Sequence, residues 1–452
     1  LPTKIAKGVT IICEEGTVFQ GSSNLNIGGA TIVGADFVNE NGSIVNSGTI
    51  NGNFKNCTFE GNKVFRYGYA GNGTQSVFED CYFKENGGEW LFHFDGGNGE
   101  LICRRCTFDG KRVAIGSAVS NLVMEDCTFV NGSYFNTYCK STISNSHFET
   151  SVRPLGNHVT FNNCTYYDEA LKFEDLKLFS GYDCKVTVDD KDYAVVSASA
   201  NLAKYVNEAE RDIYVHLTNH LTDDVTLIQK ANVNVFVAGN GKVFNKTLYI
   251  HGQSRHDGAE TLTFDGLTFN SFANRDIISS NTTASAERYA HNVTFQNCSF
   301  NGDDGVDVVV GLRLRQAYNV TIKDCTTNKL HSFGQLSSIN GLTIENVTIN
   351  GNSGLNLLNS CQNVNIKNTT INATEDDGYG IRMDAGNDNT VNVENSAITA
   401  YEPIVFRSAS TAFKFNLVGN NTINKTGDYH IVVASGVRPT MTGVDGLDIK
   451  LP

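Results

Sequence analysis

Residues 122–129 read LVMEDCTF, and their grammar recurs along the chain: apolar, any, apolar, any, Asn or Asp, a small residue, Thr or Ser, aromatic or aliphatic. Copies stand at 53–59 (NFKNCTF), 77–83 (VFEDCYF), 101–108 (LICRRCTF) and 159–166 (VTFNNCTY). Later ones stand at 262–269 (LTFDGLTF), 293–300 (VTFQNCSF), 320–327 (VTIKDCTT), 342–349 (LTIENVTI), 364–371 (VNIKNTTI) and 391–398 (VNVENSAI). Alternation of apolar and polar residues marks each as a half-buried strand. Nearly all break at Asn or Asp, which tolerate the left-handed backbone of a sharp bend, and a second short strand follows.

The spacing is regular. Cys57, Cys81, Cys106 and Cys127 recur at intervals of 24, 25 and 21 residues, and Cys298, Cys325 and Val347 at 27 and 22. Such a period, built from short strands and polar turns, predicts a solenoid whose coils stack at the strand spacing of about 4.8 Å. The small residue after the bend then forms an inner column: Cys57, Cys81, Cys106, Cys127, Ser146, Cys164, and later Cys298, Cys325, Val347, Thr369 and Ser396.

These repeats resemble the right-handed parallel β-helix superfamily, the pectate-lyase-like fold. The expected class is therefore all-β: two parallel β-helices in tandem. The first half, with GTINGNFKNCTFEG and HFDGGNGELICRRCTFDG, also resembles uncharacterised exported β-helix proteins of gut Bacteroidales. That second resemblance implies export and no particular activity.

The repeat rhythm breaks between residues 168 and 192, where KVTVDDKDYAVV reads as a hairpin. A helix is expected from 199 to 209, capped by Ser197 or Ser199, with Leu202, Val206 and Ala209 on its apolar stripe. Such a helix would plug the open end of a second core. The expected domains are 1–184 and 185–452.

The chain has 452 residues, 43 Gly, 5 Pro and a net charge of −13. That charge argues against nucleic acid or an anionic membrane as partner. No apolar run approaches the ~20 residues of a membrane span. The chain opens at Leu1, not Met, which fits removal of a targeting segment. Most of the twelve cysteines fall on ladder positions, so the expectation is reduced, buried filler, the Cys103–Cys106 pair included. No metal site is read from them. The Asn-x-Ser/Thr triplets at Asn56, Asn131, Asn163, Asn292, Asn319 and Asn346 read as bends, not glycan acceptors.

On a solenoid, function sits where outward residues of successive coils align. In the first half, inward Phe65, Phe92, Phe94 and Phe135 would turn Arg66, His93, Asp95, Ala114 and Asn136 outward, with Trp90 and Tyr134 at the edge. In the second half, inward Leu312, Leu314, Leu355, Leu357, Ile381, Met383 and Phe406 would expose Arg313, Arg315, Asn356, Arg382, Asp384 and Arg407 as one column. Arginine holds carboxylates in bidentate geometry, so the ligand expected is an acidic glycan. The plain alternative pairs those arginines with Asp384 and other neighbours.

Polygalacturonase-like glycosidases on this fold carry an Asp pair followed by His and Arg-x-Lys. Here Asp303 and Asp304, and Asp376 and Asp377, supply such pairs, and His331 follows. The surrounding Gly-His-Gly and Arg-x-Lys elements are absent: Arg382 is followed by Met383 and Asp384. Asp303, Asp304 and His331 are therefore the catalytic candidates of a secondary reading. Under a lyase variant, Asp303, Asp304 and Asp307 would hold calcium and Arg313 or Arg315 would take the proton; otherwise no cofactor is implied. The leading expectation is an exported or cell-surface, adhesin-like protein that recognises a polysaccharide or another surface partner. The alternatives are a polysaccharide lyase or glycoside hydrolase, and a phage-spike-like attachment or spacer protein. Oligomeric state is left open.

Overall fold

The computed structural model describes all residues except 1–4, 71–72, 88–89, 97, 253–257, 273–274, 281–288, 303–308, 360, 374, 385–389, 409–412, 435, 437–438 and 452. Asp303, Asp304 and Asp307 thus lie outside the described residues, as does the side chain of Asp95. The chain is an all-β parallel solenoid in two compact units, Leu1–Val195 and Val196–Pro452.

In the first unit each coil has three inward columns. One joins Phe54, Phe78, Cys103, Met124, Ile143 and Phe161 in parallel register. After the bend comes a column of Phe37, Phe59, Phe83, Phe108, Phe129 and Phe148. Their rings stack face to face at 4.7 to 5.1 Å, because the strand spacing is close to the offset-stacking distance. The third joins Phe65, Phe92, Val113, Phe135 and Val152.

The bends are left-handed as expected: φ is 51° at Asn56, 54° at Asp80, 55° at Asp126 and 51° at Asn163. Arg105 departs from the Asn/Asp rule, yet holds φ 50°. Its guanidinium returns to the bend below, donating to Asp80 at 2.6 and 3.1 Å and to Glu79. The ladder cysteines are buried and free. Each thiol points back to a carbonyl of the preceding coil, as Cys81 does to Phe54 at 3.3 Å and Cys106 to Phe78 at 3.4 Å.

The expected hairpin pairs Cys184–Val188 with Lys191–Val196, turning at Asp189 and Asp190, both with positive φ. Cys184–Val188 also pairs in parallel with Asn157–Asn162, so the hairpin closes the first unit. The two compact units divide at 195/196, within the last residues of that hairpin, where the expected boundary was 184/185.

The second unit opens with the helix Ser199–Glu208, which buries Leu202 and Val206. Its N-cap is Ala198 without a side-chain bond; neither expected serine caps it. Ser199 is turned inward, and its Oγ accepts the Asp223 N–H at 3.1 Å. Asn207 docks the helix on the strand Val225–Gln229: Nδ2 donates to the Thr226 carbonyl at 3.0 Å, and Oδ1 accepts the Ile228 N–H at 2.8 Å. The helix thus occupies hydrogen-bonding groups that a free edge would offer to another strand.

Beyond it, one inward column runs Val235, Leu262, Val293, Val320, Leu342, Val364, Val391 and Phe415. A second begins Phe244, Phe269 and Phe300 and continues through Thr327, Ile349, Ile371 and Ile398. Asparagine ladders line the outside of that second sheet, Asn270 donating to Asn245, Asn301 to Asn270 and Asn328 to Asn301 at 3.0 to 3.2 Å. The third sheet carries the candidate site.

Candidate functional site

The third sheet of the second unit contains Val310–Arg315, Thr326–Ser337, Thr348–Leu358, Tyr379–Asp384 and Glu402–Ser408, all parallel. Close approach shapes its edge: a Cβ on Gly354 would stand 2.2 Å from the Gly380 carbonyl. Register sets the outward residues in two columns, not one. The first is Arg313, Gln335, Asn356, Arg382, Val405; the second is Arg315, Ser337, Leu358, Asp384, Ser408. A register shift between Met383 and Asp384 leaves Arg407 outside both. The expected arginine column is corrected accordingly: the strand 326–337 inserts Gln335 between Arg313 and Asn356.

Charge is also more balanced than expected. Arg313 Nε lies 2.6 Å from Asp276 Oδ2, and Arg382 donates to Asp384 at 2.5 Å. Burial pushes the Asp276 carboxyl up against the opposing pull of Arg313. Asn356, expected outward, is only 6% exposed. Arg315 and Arg407 are exposed.

A groove of about 430 Å³ opens over these strands. Its floor is Asn356, Arg382 and buried Val405. His331, Gln335 and Ser353 line one side; Tyr379, Tyr401, Glu402, Arg407 and Asp377 line the rest. The Arg382 guanidinium stands 5.3 Å from the Tyr379 ring. Asn356 Oδ1 and Arg382 Nε are buried with no hydrogen-bond partner among the described residues. Of the catalytic candidates, His331 lines this groove. Asp377, named in the sequence as half of an acidic pair but not taken as a catalytic candidate, and Glu402, which the sequence did not single out, line the same groove.

In the first unit, His93, Ala114, Asn136 and Arg153 share one register column. The expected outward stripe is corrected: Ala114 and Asn136 are buried, beneath larger neighbours. A register shift between Phe65 and Gly68 takes exposed Arg66 out of line with His93. The surface is instead a stack. His93 lies on Trp90 with centroids 4.5 Å apart. Arg112 stands 5.5 Å from the Trp90 ring and 5.9 Å from the Tyr134 ring, and Arg153 stands 4.3 Å from Tyr134. Arg112 and Arg153 escaped the sequence reading because alternation alone does not say which long side chains lean together across strands.

Among the described residues, no cluster of three His, Cys, Asp or Glu side chains is placed to hold a metal, and no helix is long and apolar enough to cross a membrane. No protein-family model, curated protein or solved structure matches the chain.

Proposed function

We propose that this is an exported or cell-surface protein that recognises a glycan through the groove of its second unit, in the manner of an adhesin. The repeat grammar supports a place in the pectate-lyase-like superfamily and, for the first half, kinship with exported Bacteroidales β-helix proteins. The observation that carries the functional reading is the groove floor: Asn356 Oδ1 and Arg382 Nε, buried and without partners among the described residues, beside Tyr379 and Tyr401. A polar atom left so costs on the order of 1–3 kcal/mol. A sugar supplies hydroxyls for such atoms and an apolar ring face for tyrosine. Because Arg382 already has Asp384, recognition rests on hydrogen bonding and shape more than on net charge.

One observation favours a second reading. Asp377, Glu402 and His331 line the same groove, and paired carboxylates are the machinery of glycoside hydrolysis. A panel of neutral and acidic polysaccharides, scored for binding and for new reducing or unsaturated ends, separates the two. Binding without new ends is expected. Tyr401→Ala with Arg407→Ala should weaken it at least tenfold and leave Tm nearly unchanged. Arg382 is a poor choice for this test, since its loss strands Asp384. If no polysaccharide binds, or the double variant binds like the parent, the groove is not the reading surface. New ends would move the enzyme reading to first place.

A further inference from the structure

We propose that the outer face of the first unit is a second binding site, for an acidic polysaccharide bearing one anionic group on every second sugar. It is independent of the groove and built from different residues.

The basis is the state of two arginines. Arg313 and Arg382 of the second unit each hold a carboxylate. Among the described residues, Arg112 and Arg153 form no ion pair; their neighbours are aromatic rings. Arg112 belongs to Arg112–Ile115, Tyr134 to Tyr134–Thr137 and Arg153 to Ser151–Pro154, three successive parallel strands. Tyr134 therefore receives one guanidinium from the strand before it and one from the strand after. Arg153 is steadied further: its Nε donates to Ser151 Oγ at 3.2 Å, and Phe179 stands 5.5 Å away.

A guanidinium stacked on a ring has its faces occupied and its N–H donors left in plane, directed away from the stack. Part of its rotamer entropy is already lost, so less is lost on binding. Both groups therefore present preorganised forks of the kind that match carboxylate or sulfate. The net charge of −13 makes two stacked cations on one face, without an ion pair among the described residues, the more telling.

The spacing selects the ligand. Arg112 and Arg153 stand on strands two coils apart, two spacings of about 4.8 Å, and offset by two positions along the strand; their distances of 5.9 and 4.3 Å to the Tyr134 ring between them cap how far the guanidinium carbons can separate. One extended, equatorially linked pyranose is about one such spacing long. A polysaccharide lying along the coil axis would pass one sugar per coil. Anions on alternate sugars would then meet Arg112 and Arg153, with the intervening sugar over the edge of Tyr134.

The test uses the full chain and four probes: hyaluronan tetrasaccharide, which carries two carboxylates two sugars apart, glucuronate, uncharged chitotetraose and buffer alone. The tetrasaccharide is expected to bind at least tenfold more tightly than glucuronate, with affinity falling as salt rises. Arg112→Gln and Arg153→Gln should each lose about tenfold. The lysine variants keep charge and solubility but lose the fork, and should recover only part of it. The Tyr401→Ala, Arg407→Ala variant should bind this probe like the parent, which separates failure here from failure at the groove. The proposal is overturned if the tetrasaccharide binds no better than glucuronate or chitotetraose. It is also overturned if the glutamine or lysine variants, melting like the parent, bind it equally well.

Discussion

At the residue scale, the ladder cysteine was legible because its column position leaves little choice. It must be small, apolar enough for the core, and able to turn a weak donor toward the coil below. Cys127 and Ser146 show the interchange: the Cys127 N–H donates to Ser146 Oγ at 3.1 Å, in a register where cysteine would otherwise stand. Burial pushes the Cys164 thiol up to about 11 and the Cys184 thiol up to about 12, while an unfolded cysteine titrates near ~8.5. A folded-state value above the unfolded one contributes stability that is complete below the unfolded pKa and lost as pH rises toward the folded one. Unfolding free energy should therefore be flat in this respect to about pH 8, then decline through pH 9 to 11. Native protein treated with iodoacetamide at pH 8 should be modified at partly exposed Cys13, and all twelve thiols should react after denaturation. Rapid native labelling at several ladder cysteines would contradict the packed column. Arg105 marks the limit of reading at this scale. Nothing local favours arginine in a left-handed bend, and its reason lies one coil below, at Glu79 and Asp80.

At the scale of the element, strands and helix were readable wherever alternation was unbroken. The strand 326–337 hid itself, because Gly334 takes an inward position and Ser332, also buried, another. Its absence from the reading is what joined the arginines into one imagined column. The helix was legible as an apolar stripe, but the reason it stays in place is polar. Asn207 supplies both a donor and an acceptor to the strand Val225–Gln229, acting as a short substitute for a neighbouring strand. Asn207→Ala should cost about 1 kcal/mol or more, read from denaturant unfolding of the second unit. It should also raise concentration-dependent association, since the Thr226 carbonyl and Ile228 N–H become available to another chain. An unchanged midpoint together with unchanged association would mean that Leu202 and Val206 alone seat the helix.

At the scale of the whole molecule, each unit has its own continuous core, and the second begins with its own plug. Solenoid stability is close to a sum of coil and nearest-neighbour terms, so a unit with a protected first coil loses little when what precedes it is removed. Residues 196–452, expressed alone, are therefore expected to be soluble and to melt cooperatively. Leu202→Asp in the same fragment should abolish that behaviour, because a charge would enter the plugged end of the core. A fragment that stays insoluble, or that melts without cooperativity, would show that the helix does not suffice to close the core and that the second unit depends on the first. Success would have a consequence for function. The groove, with its paired Arg382, would travel with the fragment, and the stacked arginines of the first unit would not. Neutral-glycan binding should then persist in the fragment while binding of the alternating acidic tetrasaccharide disappears. Neither site could be read from one repeat, since Asp377 comes to share a groove with His331, and Arg112 to share the Tyr134 ring with Arg153, only after whole coils have been laid in register.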